Sequence, residues 1–317
     1  MAKKLVNTKK ISHEEWLATR KRSIGGSDAS AIIGMNPYKS TYSLYLDKTG
    51  VSKDAESNEA MRLGNDLEAY VAERYTEETG KKVRNDNYMY QDDDYDFITA
   101  NIDRVIVGEN AGLECKTMSS FNGYDLENGE IPSQYYVQCQ HYMMVMGYEY
   151  MDIAILVFQR GIYIHTVPRS DEFIKALREA EIEFWTKFVV LGVAPALDGS
   201  DATMDALKEA YAEDMPASDL FLDNIDDLVS QYNYFKEQED LNKDKKKEAQ
   251  AKICKLLGDF NTSTAHGNRF KASWKTTSTT RLDSTKLKAE RPDVYEEFAK
   301  TSTSKRFSAG NAKKERK

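Results

Sequence analysis

Two apolar, β-branched stretches separated by one short turn set the tightest constraint on this chain. Residues 96–107 (DFITANIDRVIV) and 113–117 (LECKT) read as adjacent antiparallel strands joined across 108–112 (GENAG). In such a hairpin Asp103 and Glu114 can face the same side, and Glu114 and Lys116, two residues apart, must share a face. Ala100, Ile102 and Leu113 around them mark a buried sheet, where a carboxylate is costly unless a cation meets it. Two hard oxygen ligands for Mg²⁺ therefore come together with a lysine that can orient or deprotonate a water, and the backbone carbonyl of Cys115 offers another ligand. The same string also fits a solvated hairpin of alternating charge, since 30% of the residues are charged.

A length of 317 residues allows one sizeable α/β domain and an appendage. No apolar run of membrane-spanning length occurs, and the basic start MAKKLVNTKK leads into a charged helix, so a soluble, cytoplasmic protein without a membrane role is expected. Cys115, Cys139 and Cys254 have no CxxC spacing, and His13, His141, His165 and His266 no zinc pattern, which argues against disulfides, zinc fingers and iron–sulfur clusters. The net charge of −8 is unevenly spread: residues 243–317 hold 20 Lys and Arg against 9 Asp and Glu, whereas residues 1–242 hold 24 against 43. A basic tail on an acidic body suits contact with phosphate or with an acidic protein, and equally suits a lysine-rich solvated face.

Helices are expected at 13–21, at 29–33 behind a cap at Ser27 or Asp28, at 41–48, and at 58–79 with Leu63, Leu67, Val71 and Tyr75 on one stripe. Glu68 borders that stripe. Strands at 82–91, 96–107 and 113–117 form a meander, followed by a buried helix from Pro132 to Gly147, a hairpin of 150–158 with 161–167, and an amphipathic helix at 171–191. The fold class is α/β of the α+β kind, a mixed central sheet flanked by helices, with no phosphate-cradling glycine loop. The expected division is a catalytic body at 1–195, a linker at 196–222, and an extension at 223–317 made of a long helix and a small α+β module. In that module a heptad-like seam (Ile225, Leu228, Tyr232, Phe235, then Ile253 and Leu256) precedes a hairpin, a helix interrupted near Pro292 and a last strand at 301–308.

The body resembles the YqaJ-like viral recombinases, the family of the lambda exonuclease. Trp16, Arg20 and Gly25-Gly26-Ser27-Asp28 are similar to its N-terminal motif, Gly64 to Glu68 (GNDLE) to its helix glutamate, Asn101-Ile102-Asp103 with Glu114-Cys115-Lys116 to its PD-(D/E)xK core, and Tyr135, Gln138 and Gln140 to its glutamine motif. The resemblance implies a restriction-endonuclease-like core and a Mg²⁺-dependent 5′ to 3′ exonuclease, which degrades one strand of linear double-stranded DNA in a bacterial or phage-infected cytoplasm. It leaves 3′ overhangs for annealing-type recombination. The family further implies a homotrimeric ring and a single-strand annealing partner.

Under that resemblance Asp103, Glu114 and the Cys115 carbonyl hold the catalytic ion, Glu68 completes the site for a second ion, and Mn²⁺ is a possible substitute. Lys116 activates the attacking water with its pKa lowered by nearby cations, Gln138 holds that water, and Arg20 with Ser27 binds the 5′-phosphate. Plainer roles stay open: Arg20 paired with Glu14 or Glu15, Ser27 as a helix cap, Glu68 solvated, Gln138 and Gln140 in a polar notch, His141 and Tyr135 packed. One departure from the family pattern is that no Lys or Arg occurs from Thr117 to Gln159, where the lambda enzyme has a basic residue after its core lysine. Asn122 takes that place, leaving Arg20 with Lys21 and Arg22 to grip phosphate. Two other readings compete: a structure-specific or nicking endonuclease on the same core, and a recombination scaffold whose extension recruits the annealing protein.

Overall fold

The computed structural model describes residues 2–52, 58–121, 123–212, 220–301 and 307–309. It comprises two units, Met1–Met215 and Pro216–Lys317. In the first, β1 (Lys3–Asn7) leads into α1 (His13–Lys21), α2 (Gly26–Ile32), α3 (Thr41–Lys48) and α4 (Glu59–Thr79). Then come β2 (Val83–Asn85), β3 (Tyr88–Gln91), β4 (Thr99–Ala100), β5 (Arg104–Ile106), β6 (Ala111–Met118), α5 (Ser133–Met146), β7 (Tyr150–Val157) and β8 (Gly161–Pro168). Last are α6 (Asp171–Glu183), running into a π-helical segment Phe184–Val190, and α7 (Asp201–Ala210).

The central sheet is five-stranded and mixed, in the order β2-β5-β6-β7-β8, and only β6 and β7 run parallel. A parallel pair needs a crossover, and α5 supplies it. Alternation along β6 serves two cores. Ala111, Leu113 and Cys115 pack with Val71, Ala72 and Tyr75 of α4, whereas Met118 joins Cys139, Met143 and Met144 of α5.

The expected meander is corrected. Residues 82–91 and 96–107 are not continuous strands: β2 and β5 belong to the central sheet, whereas β3 and β4 pair with β1 in a separate antiparallel one. Ile98, Ala100 and Ile102 pack on the α5 side and Ile106 on the α4 side. Even-numbered residues of one strand share a face, so the backbone has to break between 102 and 106. Asp103 sits at that break. Of the α4 stripe only Val71 and Tyr75 are buried, and Leu63 is exposed.

The segment ahead of α2 is fastened to this frame. Ile24 and Ile98 form a parallel bridge, and Thr99 donates its N–H to the Ile24 carbonyl at 2.9 Å. His141 of α5 is fully buried, with Nε2 2.8 Å from the Thr99 carbonyl and Nδ1 2.7 Å from Glu181 Oε1. The Thr99 carbonyl can only accept, so Nε2 carries a proton; burial pushes the ring's pKa down, but the Glu181 carboxylate outweighs that and holds it above the ordinary histidine value. His141 is thus a packed residue that ties α5 to β4 and α6.

Residues 201–210, inside the stretch read as a linker, form α7, whose buried Thr203 donates to Ser40 Oγ at 2.7 Å. The second unit holds α8 (Ile225–Asp259), the hairpin β9 (Thr264–His266) and β10 (Lys271–Ser273), α9 (Ser284–Glu290) and α10 (Pro292–Phe298). The seam residues Ile225, Leu228, Tyr232, Phe235, Ile253 and Leu256 are exposed, and on α8 Leu257 is buried. Of the strand expected at 301–308, residues 302–306 lie outside the described residues, and Thr301, Phe307 and Ser308 are not in a strand.

Helix α2 meets α5 at Gly26, where an added Cβ would lie 2.6 Å from Tyr142 Cε1 and 3.0 Å from Gln138 Cγ. The Tyr142 ring is buried and cannot step aside. Gly26→Ala is expected to cost about 1–3 kcal/mol through overpacking, read as a lower urea midpoint. An unchanged midpoint would mean that the two helices can separate freely.

Candidate active site

The registered pairs of β5 with β6 are Arg104 with Leu113 and Val105 with Gly112, so the next position outward sets Asp103 opposite Glu114. Here the ladder gives way to a side chain: Asp103 Oδ2 accepts the Cys115 N–H at 2.8 Å. A strand residue points its N–H and C=O to the same edge, so the Cys115 carbonyl faces the side where β5 has ended. The Cys115 thiol packs among the apolar residues under α4.

Glu114 is 2% exposed. Its Oε1 lies 2.6 Å from Lys116 Nζ and accepts a hydrogen bond of 2.6 Å from Gln138 Nε2, which also donates to Tyr142 Oη at 3.0 Å. Its Oε2 is buried and has no hydrogen-bond partner among the described residues. The Lys116 ammonium lies 5.3 Å from the centre of the half-buried Tyr135 ring. Gln140 is spent elsewhere, donating to the Pro168 carbonyl and accepting from the Ser170 N–H.

These contacts set the charges. Burial raises the pKa of Asp103 well above the carboxylate range, Glu114 repulsion adds to it, and Lys116 opposes. Burial raises Glu114 as well, against the pull of Lys116. For Lys116 burial alone would lower the pKa, but attraction by Glu114 and Asp103 wins and holds it above the ordinary lysine value. The lowering expected above was tied to nearby cations; with the two carboxylates alone the ammonium form is favoured.

Glu68 of α4 faces Arg104, whose Nη1 donates both to Glu68 Oε1 and, at 2.7 Å, to the Asp103 carbonyl. Glu68 and Asp103 line one polar recess of about 210 Å³ with Asn85, Asn101 and Arg104. Arg104 escaped sequence reasoning although it adjoins Asp103; the available signal was a cation placed among three acids that burial would leave unmatched.

Arg20 and Ser27, predicted together, do meet: Arg20 Nη2 donates to Ser27 Oγ at 2.7 Å and stands 3.7 Å from Asp28 Oδ1, and its guanidinium lies 5.2 Å from the Trp16 ring centre. Helix α2 begins one residue before Ser27, so Gly25 occupies the cap position and Ser27 is not the cap; Asp28 Oδ2 instead accepts the Gly25 N–H. Glu15 is used in the α1 capping box with Ser12, which leaves Arg20 to the α2 residues. Two further cations, Lys39 and Lys48, reach this cluster. Lys48, itself buried, reaches Asp28 Oδ2 at 2.8 Å, and Lys39 stands 3.6 Å from Asp28 and 2.7 Å from Asp47. Burial alone would raise Asp28, but Lys48, Lys39 and Arg20 together hold it far below the carboxylate range. Three cations against two carboxylates leave this cluster net positive. Asn122 lies outside the described residues.

Among the described residues no three His, Cys, Asp or Glu side chains form a ready metal cage. The donor set nonetheless fits one hard cation: two carboxylates of raised pKa, the buried Glu114 Oε2 without a partner, and the Cys115 carbonyl on the same edge. Glu68 holds Arg104 through Oε1, so a part in an ion's shell would fall to its other carboxylate oxygen.

A carboxyl whose pKa is raised by folding keeps its proton when the unfolded chain has lost it. Stability therefore falls as pH rises from the ordinary carboxylate value of about 4 to the raised one, and stays lower above it. Asp103→Asn removes that burden, so its melting temperature without metal at about pH 8 is expected to rise by about 2–4 °C, with a flatter pH profile. A lower melting temperature would show that Asp103 serves the fold rather than a site.

A YqaJ-like viral recombinase domain model matches residues 15–149. "Uncharacterized protein YqaJ" of Bacillus subtilis is 42% identical over 311 residues, covering 96% of this chain and 97% of that protein. Among solved structures, the alkaline exonuclease LHK-Exo of Laribacter hongkongensis is 19% identical with a TM-score of 0.46, over 56% of this chain and 93% of that one. A phage-related exonuclease of Haemophilus somnus is 15% identical with a TM-score of 0.44, over 54% and 96%. With 42% identity to YqaJ over nearly the whole of both chains and the matching domain across its acid site, the chain belongs to the YqaJ family of viral recombinase-like proteins.

Proposed function

We propose that this protein is a DNA exonuclease, which removes nucleotides from the 5′ end of one strand of linear duplex DNA with Mg²⁺ and leaves a 3′ overhang. The observation that carries the reading is the buried Glu114 carboxylate: one oxygen is fixed by Lys116 and Gln138, the other is unpartnered, and Asp103 stands across from it. Family membership supports the same reading.

Asp103, Glu114 and the Cys115 carbonyl would hold the ion, which when bound supplies Lewis-acid charge at the scissile phosphate. The remaining work falls to this chain's side chains. Lys116 keeps its proton next to the two carboxylates, so it serves as a donor that orients water or meets phosphate charge. Gln138 fixes Glu114 and, through Tyr142 and Gly26, is packed against the start of α2. That contact relates the acid site to the positive cluster of Arg20, Ser27, Lys39 and Lys48, which suits a terminal phosphate. Lys39 and Lys48 would replace the basic residue missing after Lys116. A trimeric ring and an annealing partner come from the family resemblance alone.

Linear duplexes ending in 5′-phosphate or 5′-hydroxyl separate the parts. Nucleotide release from the phosphorylated end is expected to need a divalent cation, to stop with a chelator, and to fall by at least about 100-fold in Lys116→Ala. Arg20→Ala should erase most of the preference for the phosphate. Cutting of covalently closed circles would make the enzyme an endonuclease, and full activity of Lys116→Ala would remove that lysine from the mechanism.

A further inference from the structure

We propose that the β9–β10 hairpin of the C-terminal unit is a binding site for single-stranded DNA. Residues 261–282 contain no Asp or Glu but four cations, Arg269, Lys271, Lys275 and Arg281, all exposed. None of the four forms an ion pair among the described residues. On α8, four of the seven lysines, Lys243, Lys247, Lys252 and Lys255, each lie beside a carboxylate three or four residues away. Along α8 the seven lysines are balanced by eight Asp and Glu, whereas the hairpin segment carries cations without acids, as a polyanion requires.

Two aromatic rings flank β10, one at each end. Phe270 is 78% exposed and Trp274 59%. Hydrogen bonds from Gly267 N to the Phe270 carbonyl and from Trp274 N to the Ser263 carbonyl, both 2.9 Å, carry strand geometry to each end of β10. Alternation then places Phe270, Ala272 and Trp274 on one face, and Lys271 and Lys275 on the other. Between the rings the floor is small, Ala272 opposite Ala265. The rings stand about 13 Å apart along the strand, so a base can lie on each without competition. The Arg269 guanidinium lies 5.4 Å from the Phe270 ring centre, within reach of a phosphate beside a stacked base.

Rings of this exposure on a hairpin without carboxylates favour one class of ligand. A duplex keeps its base faces inside its own stack and offers the rings nothing, whereas a single strand presents unstacked bases and a charged backbone together. The choice of DNA over RNA rests on the proposed exonuclease reading, whose product is a single-stranded 3′ end; the stacking and charge argument does not depend on it.

The test uses the full chain in a chelator, so that nothing is cut, with fluorescent oligothymidine of about 20 nucleotides and oligouridine of equal length as probes. Phe270→Ala with Trp274→Ala is expected to weaken oligothymidine binding by about 10-fold or more. Arg269→Ala, Lys271→Ala and Lys275→Ala together should lower the slope of log affinity against log salt by about 2. Both variants change exposed residues only, so their melting curves and their release of nucleotides from short duplexes in Mg²⁺ should match the parent. Unchanged oligothymidine affinity in the aromatic variant overturns the proposal, as does tighter binding of oligouridine. So does an aromatic variant that binds oligothymidine normally but no longer captures a purified annealing protein, which would make the hairpin a protein dock. These outcomes are independent of whether Lys116→Ala digests DNA, so each reading fails separately.

Discussion

The first unit is organised around a repulsion. Asp103 and Glu114 face each other at the end of a strand pair, where burial and like charge both oppose ionisation. A fold built for stability alone would separate them, because buried ion pairs are commonly matched or bettered by apolar side chains. Here the backbone does the opposite. It breaks the strand at 101–103, carries the chain from one sheet to the other, and bonds Asp103 to the Cys115 N–H. Lys116, Gln138 and Arg104 then offset part of the charge, and one Glu114 oxygen is left without any partner. Perturbed carboxylates with an unmet acceptor are a recurrent mark of a working site.

What was legible in the sequence follows from what punctuates it. The helices α1, α3, α4 and α5 and the β7–β8 hairpin are bounded by Ser, Asn, Pro and Gly at their ends, and these fix boundaries locally. The facing of Asp103 and Glu114 was legible too, since strand alternation and one turn suffice. The change of sheet between Ile102 and Ile106 was not. A period of two runs unbroken through residues 98–106, and only the packing shows that its apolar residues serve two cores. Strand β1 was also hidden, because an exposed edge rich in lysine lacks the apolar alternation that announces a strand. Helix α7 lay in a stretch whose Pro, Gly, Ser and Asp looked like a linker, although Ser200 among them caps the helix.

The cations around Asp28 show a different kind of blindness. The lysines that reach Asp28 come from the loop before α3 and from its last turn, too far along the sequence for spacing to connect them with it. The stronger clue was Asp28 itself. A carboxylate at the third position of a helix that starts on two glycines is drawn inward to cap the helix, and once buried it must recruit cations from wherever the fold can bring them. Gly26 allows the close approach to α5 that buries it, so the glycine pair and the lysines are two halves of one arrangement.

Charge is distributed in the chain according to task rather than evenly. An acidic body gives its few inward-facing cations strong local fields, because each stands beside a buried carboxylate in a poorly solvated setting. Such cations fix geometry but attract little from a distance. The extension reverses this: its hairpin cations are exposed, screened by salt and unmatched by carboxylates, so they act weakly on any one group and cumulatively on a polyanion. An enzyme of the proposed kind, which would hold a phosphodiester at fixed geometry and retain a strand of any sequence, would use both kinds of charge.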